Sequence, residues 1–228
     1  MSTLIICHEL GHFLVAILFR IEVDKIYIYP LGGISKFDMA LNEKSLKEFL
    51  ILIAGPLFQI GTYCLLISIF PQYHNIFAAY HYGILFFNLL PICPLDGGRL
   101  LNLFLTQAFP YKLSLIITIR ISYLVTLGYF LLNLSNLKLN VLLITSFLLL
   151  KIKKEKEKIN LSYEKFLLER YLNSYTFNKS KLITNKDHFY RNNRHLIREG
   201  SKYYLENDYL TKNIKKYKKD VDNKNCLC

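Results

Sequence analysis

The chain has 228 residues, 52% of them hydrophobic, which is too apolar for an unstructured chain and long enough for one domain with an appendage. Its formal net charge is +12, but residues 1–150 carry nine basic and seven acidic side chains, whereas residues 151–228 carry twenty and ten. An apolar, nearly neutral front with a basic end excludes a nucleic-acid-binding body and describes a membrane protein with a charged end segment.

In chain order the sequence predicts five apolar segments, at 1–19, 48–70, 74–95, 112–134 and 137–150. The first contains His8, Glu9 and His12 and lacks a basic start and a small-residue cleavage site, so it does not read as a signal peptide. Pro91 and Pro94 interrupt the third near its end, Arg120 lies inside the fourth, and the fifth is short. Between the first two segments, K-I-Y-I-Y-P-L-G-G-I at 25–34 is β-prone and predicts a hairpin with a Gly-Gly turn, its edge limited by Pro30. The connection after the first segment is basic, the one at 71–80 carries no Lys or Arg, and the connection from Arg99 to Lys112 is basic again. The positive-inside rule therefore places the basic connections and the tail on the cytoplasmic side, with Met1 outside if there are five spans.

These features predict two parts, a transmembrane domain over 1–150 and a basic cytoplasmic segment over 151–228. Lys151 to Lys158 reads as a solvated helix end at the membrane surface. Tyr163 to Tyr171 has helical spacing, and the remainder predicts a small, partly ordered appendage. Cys7, Cys64 and Cys93 read as apolar filler, and the terminal Cys226 and Cys228 do not form a CaaX box.

The chemistry is concentrated in two places. His8-Glu9-Leu10-Gly11-His12 is an H-E-x-x-H motif, and on a helix it puts His8 and His12 on one face, one turn apart. Both imidazoles can reach one metal ion, and Glu9 beside them can take a proton from water. Unpartnered His and Glu are costly in an apolar span, so three ionisable groups within five positions call for a metal or a polar network. A catalytic zinc takes a third protein ligand. Asp96 stands out, at a proline-broken helix end followed by Gly97 and Gly98, which permit a tight turn; Asp96 also fits as a helix N-cap, and His74 and His81 are rival ligands.

Together, H-E-L-G-H and N-L-L-P-I-C-P-L-D-G-G resemble the site-2 protease family of intramembrane zinc metalloproteases, most closely the stage IV sporulation protein FB group. The tail stretch F-L-L-E-R-Y at 166–171 resembles the segment that follows the last span in that group. The resemblance implies that His8, His12 and Asp96 bind zinc and that Glu9 is the general base. Asn88 falls at the family's Asn position, where it either contacts the substrate or transition state or makes an interhelical hydrogen bond. The hairpin matches a family element that could hold an extended substrate by strand addition. Gly55-Pro56 with Gln59 matches the family's Gly-Pro segment, read here as close helix packing, and Gly11 is read the same way. The implied fold is an all-α multi-pass membrane protein of about five helices, against a family norm of six, with a membrane-associated hairpin and a small tail. The group usually carries a helix before the motif helix and often a CBS domain at its end; here His8 stands almost at the start, which implies either a true start further upstream or a lost helix, and no clear CBS pattern follows Tyr171. The implied partners are a membrane-associated protein substrate, such as a sigma-factor precursor, the lipid bilayer, and regulator proteins, with no nucleic acid. The alternatives are a non-catalytic zinc-binding scaffold and a metal transporter; the transporter lacks the expected repeats or paired polar spans.

Overall fold

A computed structural model describes residues 1–21, 23–29, 32–37, 41, 42, 45–136, 138–173, 175–177 and 179–212, with backbone alone for 23–29, 32–37 and 136. Pro30, Cys226 and Cys228 lie outside the described residues. Among the described residues the bounded helices run in chain order as α1 (Ser2–Leu18), α2 (Ser45–Ile69), α3 (His74–Leu89), α4 (Asp96–Ala108), α5 (Tyr111–Leu132), α6 (Leu139–Glu157) and α7 (Ile159–Leu172), and residues 206–212 are helical as well. Between α1 and α2 stand β1 (Val23–Tyr29) and β2 (Gly32–Phe37), and after α7 come β3 (Ser180–Ile183), β4 (Arg194–Glu199) and β5 (Lys202–Leu205).

The helical part differs from a water-soluble domain in its apolar exterior and in the polar groups that share its interior with apolar ones. Its exterior carries Ile6, Leu14, Leu57, Leu65, Phe86, Leu124, Leu131 and Leu143, all exposed. Its interior holds His8, Glu9, His12, Gln59, His81, Thr106, Ser114, Thr118, Ser122 and Thr126, all buried. A lipid environment favours such an arrangement, because polar groups find partners only within the bundle. Along α5, Thr118, Ser122 and Thr126 each donate a hydrogen bond to the carbonyl four residues back, at 2.8 Å, so one polar stripe faces inward at no cost in unpaired groups. Among the described residues, α2 and α5 are long and apolar enough to cross a membrane, with mean hydropathy 2.0 and 1.9, and α1 is a shorter apolar helix.

The predicted hairpin is present. β1 and β2 pair antiparallel from Val23 opposite Phe37 to Tyr29 opposite Gly32. Gly32 and Gly33 lie within β2, opposite Tyr29 and Ile28, and so do not form the turn that the Gly-Gly pair predicted. The 74–95 segment ends as a helix at Leu89, and a short irregular stretch leads into α4.

The tail is not purely helical, which corrects the all-α expectation. β3 pairs parallel with β4, and β4 pairs antiparallel with β5. Glu199 and Lys202 face each other across the two-residue turn Gly200-Ser201, where Gly200 has a φ of 65°, the conformation glycine supplies most easily. Ile183, Phe189, Ile197 and Leu210 form a core with Tyr163 and Phe166 of α7 and Tyr111 of α5. This small sheet is therefore anchored to the start of α5, and Tyr111 N–H donates to the Phe189 carbonyl at 2.9 Å.

Candidate metal centre

α1 and α2 pack closely enough to bring two polar faces together. A Cβ at Gly55 would lie 2.3 Å from His12 Nε2, and one at Gly11 would lie 2.6 Å from the Ala54 carbonyl oxygen. The helix-packing reading of these glycines is therefore met with a more specific reason at Gly55: the missing side chain makes room for an imidazole.

The break between α3 and α4 delivers the carboxylate. Ile92 is fully buried against Ile119, Leu148 and Ile152, and Cys93 N–H donates to Ser122 Oγ at 2.9 Å, which pins the irregular stretch to α5. Gly97 and Gly98 belong to the first turn of α4, so the tight-turn reading fails; a Cβ at Gly97 would lie 2.2 Å from the Leu89 carbonyl oxygen. Their role is to let α4 start against the backbone of the break. Asp96 is the first residue of α4 and makes no capping hydrogen bond for that helix, whose N-cap is Leu95.

His8, His12 and Asp96 meet, with their ligand atoms within 4.8 Å of one another. Asp96 Oδ2 lies 2.9 Å from His8 Nε2 and 3.2 Å from His12 Nε2, and the two Nε2 atoms are 3.2 Å apart. The opposite ring nitrogens are engaged elsewhere: His12 Nδ1 donates to the Ile51 carbonyl at 2.8 Å, and His8 Nδ1 to Gln59 Oε1 at 3.0 Å. A neutral imidazole has one N–H, and both oxygens claim it at Nδ1. Each Nε2 then presents a lone pair to the other and to a carboxylate that also only accepts. Three acceptors facing one another suit a bound cation, and an imidazole whose far nitrogen is held by an oxygen is the usual form of a metal ligand. The residues present therefore fit a metal.

Glu9 is buried beside this cluster on α1. Asn88 Nδ2 reaches within 3.5 Å of His8 Nε2, so the predicted position falls at the edge of the cluster. The rival ligands do not join it. His81 stacks on Tyr63 with ring centroids 4.3 Å apart, and His74 Nε2 lies 3.4 Å from the Tyr63 hydroxyl. Gln59, read from sequence only as packing, is the residue whose contact with His8 that reading missed. The signal available was a fully buried amide in an apolar span.

The chain is similar to several known proteins. Residues 1–83 match the model of Peptidase family M50. The chain is 31% identical to stage IV sporulation protein FB of Bacillus subtilis over 176 residues, covering 74% of this chain and 61% of the relative. It is 32% identical to a zinc metalloprotease of Methanocaldococcus jannaschii over 152 residues, covering 63% of this chain and 44% of the relative. It thus spans about half to three fifths of the length of these curated relatives. Among solved structures it resembles the site-2 protease from Methanocaldococcus jannaschii, with a TM-score of 0.58 and 27% identity over 68% of this chain and 74% of that one.

Proposed function

From the match of residues 1–83 to Peptidase family M50 and the likeness to a solved site-2 protease, we propose that the chain belongs to the site-2 protease family and is an intramembrane zinc metalloendopeptidase. The observation that carries this reading is the convergence of two imidazole lone pairs and one carboxylate beside Glu9, inside a bundle with an apolar exterior. His8, His12 and Asp96 would hold the ion. Zinc, when bound, supplies Lewis acidity that makes water a competent nucleophile near neutral pH and stabilises negative charge on the scissile carbonyl oxygen.

The rest is the work of side chains. Glu9 takes the proton from the attacking water and returns it to the leaving amine. Asn88 offers an N–H at the edge of the cluster, where it can hold a substrate carbonyl. A helical substrate conceals its peptide bonds, so the segment to be cut must be extended; the β1–β2 hairpin offers an edge for that. The substrate is a membrane-associated protein. A sigma-factor precursor is the first to test, because a relative is named as a sporulation protein.

In this reading the chain crosses the membrane several times, through α2, α5 and their apolar neighbours. The break at 90–95 and the basic tail lie on the cytoplasmic side, from which water and substrate enter. The test is co-expression with tagged sigma-factor precursors and single-span bacterial proteins, with wild type beside Glu9→Gln. Cleavage by wild type and none by Glu9→Gln supports the proposal. Zinc retained by both, with no cleavage across the panel, favours the non-catalytic scaffold instead.

A further inference from the structure

The two zinc-facing imidazoles are oriented by different means. His12 is held by a main-chain carbonyl, that of Ile51, whereas His8 is held by a side chain, Gln59, which is fully buried. A side-chain amide can present either its oxygen or its nitrogen, and in the wrong orientation Gln59 would donate to His8 Nδ1 and push the imidazole proton to Nε2. The other end of the amide decides the matter. Gln59 Nε2 lies 2.9 Å from the main-chain carbonyl oxygen of His81, which can only accept, and 3.3 Å from His81 Nδ1. Its nitrogen must therefore face α3, and its oxygen must face His8. His81 is itself buried and fixed by face-to-face stacking on Tyr63, four residues beyond Gln59 on α2.

We infer that Gln59 is a positioning residue that locks His8 in the Nδ1–H tautomer, with its direction set by the His81 carbonyl, and so sets zinc affinity from the helix behind the ligand. The inference rests on the metalloprotease reading above and deepens it. It also gives His81 a place: it supports a ligand from α3 without being one. Partners of this kind behind a metal-bound imidazole contribute roughly 10–100-fold to metal affinity.

The test compares purified full-length wild type, Gln59→Met and Gln59→Glu by zinc competition with a chelator, and by thermal melting of the zinc-free proteins. Methionine has the same length and suits an apolar span, so packing is kept while the hydrogen bonds are lost. Glutamate keeps an acceptor for His8 Nδ1 and, with a proton on its other oxygen, a donor for the His81 carbonyl. The expected result is a zinc affinity roughly 10–100-fold weaker in Gln59→Met, recovered in Gln59→Glu, with zinc-free melting of Gln59→Met at or above that of wild type. Gln59→Met binding zinc as tightly as wild type would overturn the inference alone. Equal weakening in Gln59→Met and Gln59→Glu would also overturn it, since the neutral glutamate side chain supplies the same acceptor and the same donor. Wild type that binds no zinc would overturn the metalloprotease reading and this inference with it.

Discussion

The molecule holds two buried clusters of histidine and carboxylate, and their hydrogen-bond bookkeeping is opposite. In the tail, Arg170 donates to Glu206 at 2.5 Å through Nε and to the Tyr190 and Asn193 carbonyls at 2.9 and 2.5 Å. His195 Nδ1 lies 3.0 Å from Glu206, and its Nε2 accepts from Tyr190 N–H at 2.9 Å. One cation, one anion and one neutral imidazole thus satisfy each other. At His8, His12 and Asp96 three acceptors face one another, with the Asn88 amide, 3.5 Å from His8 Nε2, as a weak donor at their edge. The tail cluster is complete as it stands and holds structure together; the α1–α4 cluster has an excess of acceptors that an added cation would satisfy. Residue types alone do not separate a structural histidine–carboxylate cluster from a metal site, whereas the count of donors against acceptors does.

The largest effect that would sharpen this contrast is at Glu9. Glu9→Gln is expected to lower cleavage by on the order of 10²–10⁴-fold while zinc content stays at the wild-type level, since glutamine removes the base and leaves His8, His12 and Asp96 in place. Co-expression cleavage together with metal analysis of the same samples checks both halves.

The tail should respond in stability rather than in chemistry. Glu206→Ala strands the Arg170 charge in a buried site and is expected to destabilise the fold by about 3–5 kcal/mol, measured as a loss of protection of β3–β5 in hydrogen exchange. Pairing Glu206→Leu with Arg170→Met should recover most of that loss, because no charge is then left unpaired. Neither tail variant should change zinc affinity.

Gly55→Ala probes the boundary between packing and site. Its added methyl meets the His12 ring at 2.3 Å, so the imidazole must move or α1 and α2 must part. A destabilisation of about 1–3 kcal/mol is expected, with weaker zinc binding in the same variant.

The mildest prediction concerns acid. Burial lowers the His195 pKa below its ordinary 6.5, and the Glu206 hydrogen bond does not restore it. Burial alone would raise Glu206, but the hydrogen bond with His195 and the charge of Arg170 outweigh it and hold the carboxyl below its ordinary value. Both groups are depressed in the folded chain. Their stabilisation is thus full above their unfolded pKa values and is lost as pH falls through the folded ones. Melting of the tail should drop progressively as pH is lowered from 6.5, with no such drop above it.

Much of the site was legible in the sequence because its spacing is local. H-E-x-x-H is one helical turn, and Asp96 is marked by the prolines that break α3 before it. The hairpin and α7 also followed from local pattern. Gln59 was not legible as a partner of His8, since their contact spans 51 positions and depends on how two helices meet. The tail sheet was missed for a related reason. Its strands have four to six residues, too short for a strong alternating pattern, and β3 pairs in parallel across a long connection. The Gly200-Ser201 turn was its one local signal.

Zinc content decides the central claim most directly. Wild type, Glu9→Gln and Asp96→Ala would be purified without chelator and their metal measured per chain. Equimolar zinc in wild type and Glu9→Gln, with loss in Asp96→Ala, is the predicted result. A zinc-free wild type, or Asp96→Ala that keeps its zinc in full, would contradict the account.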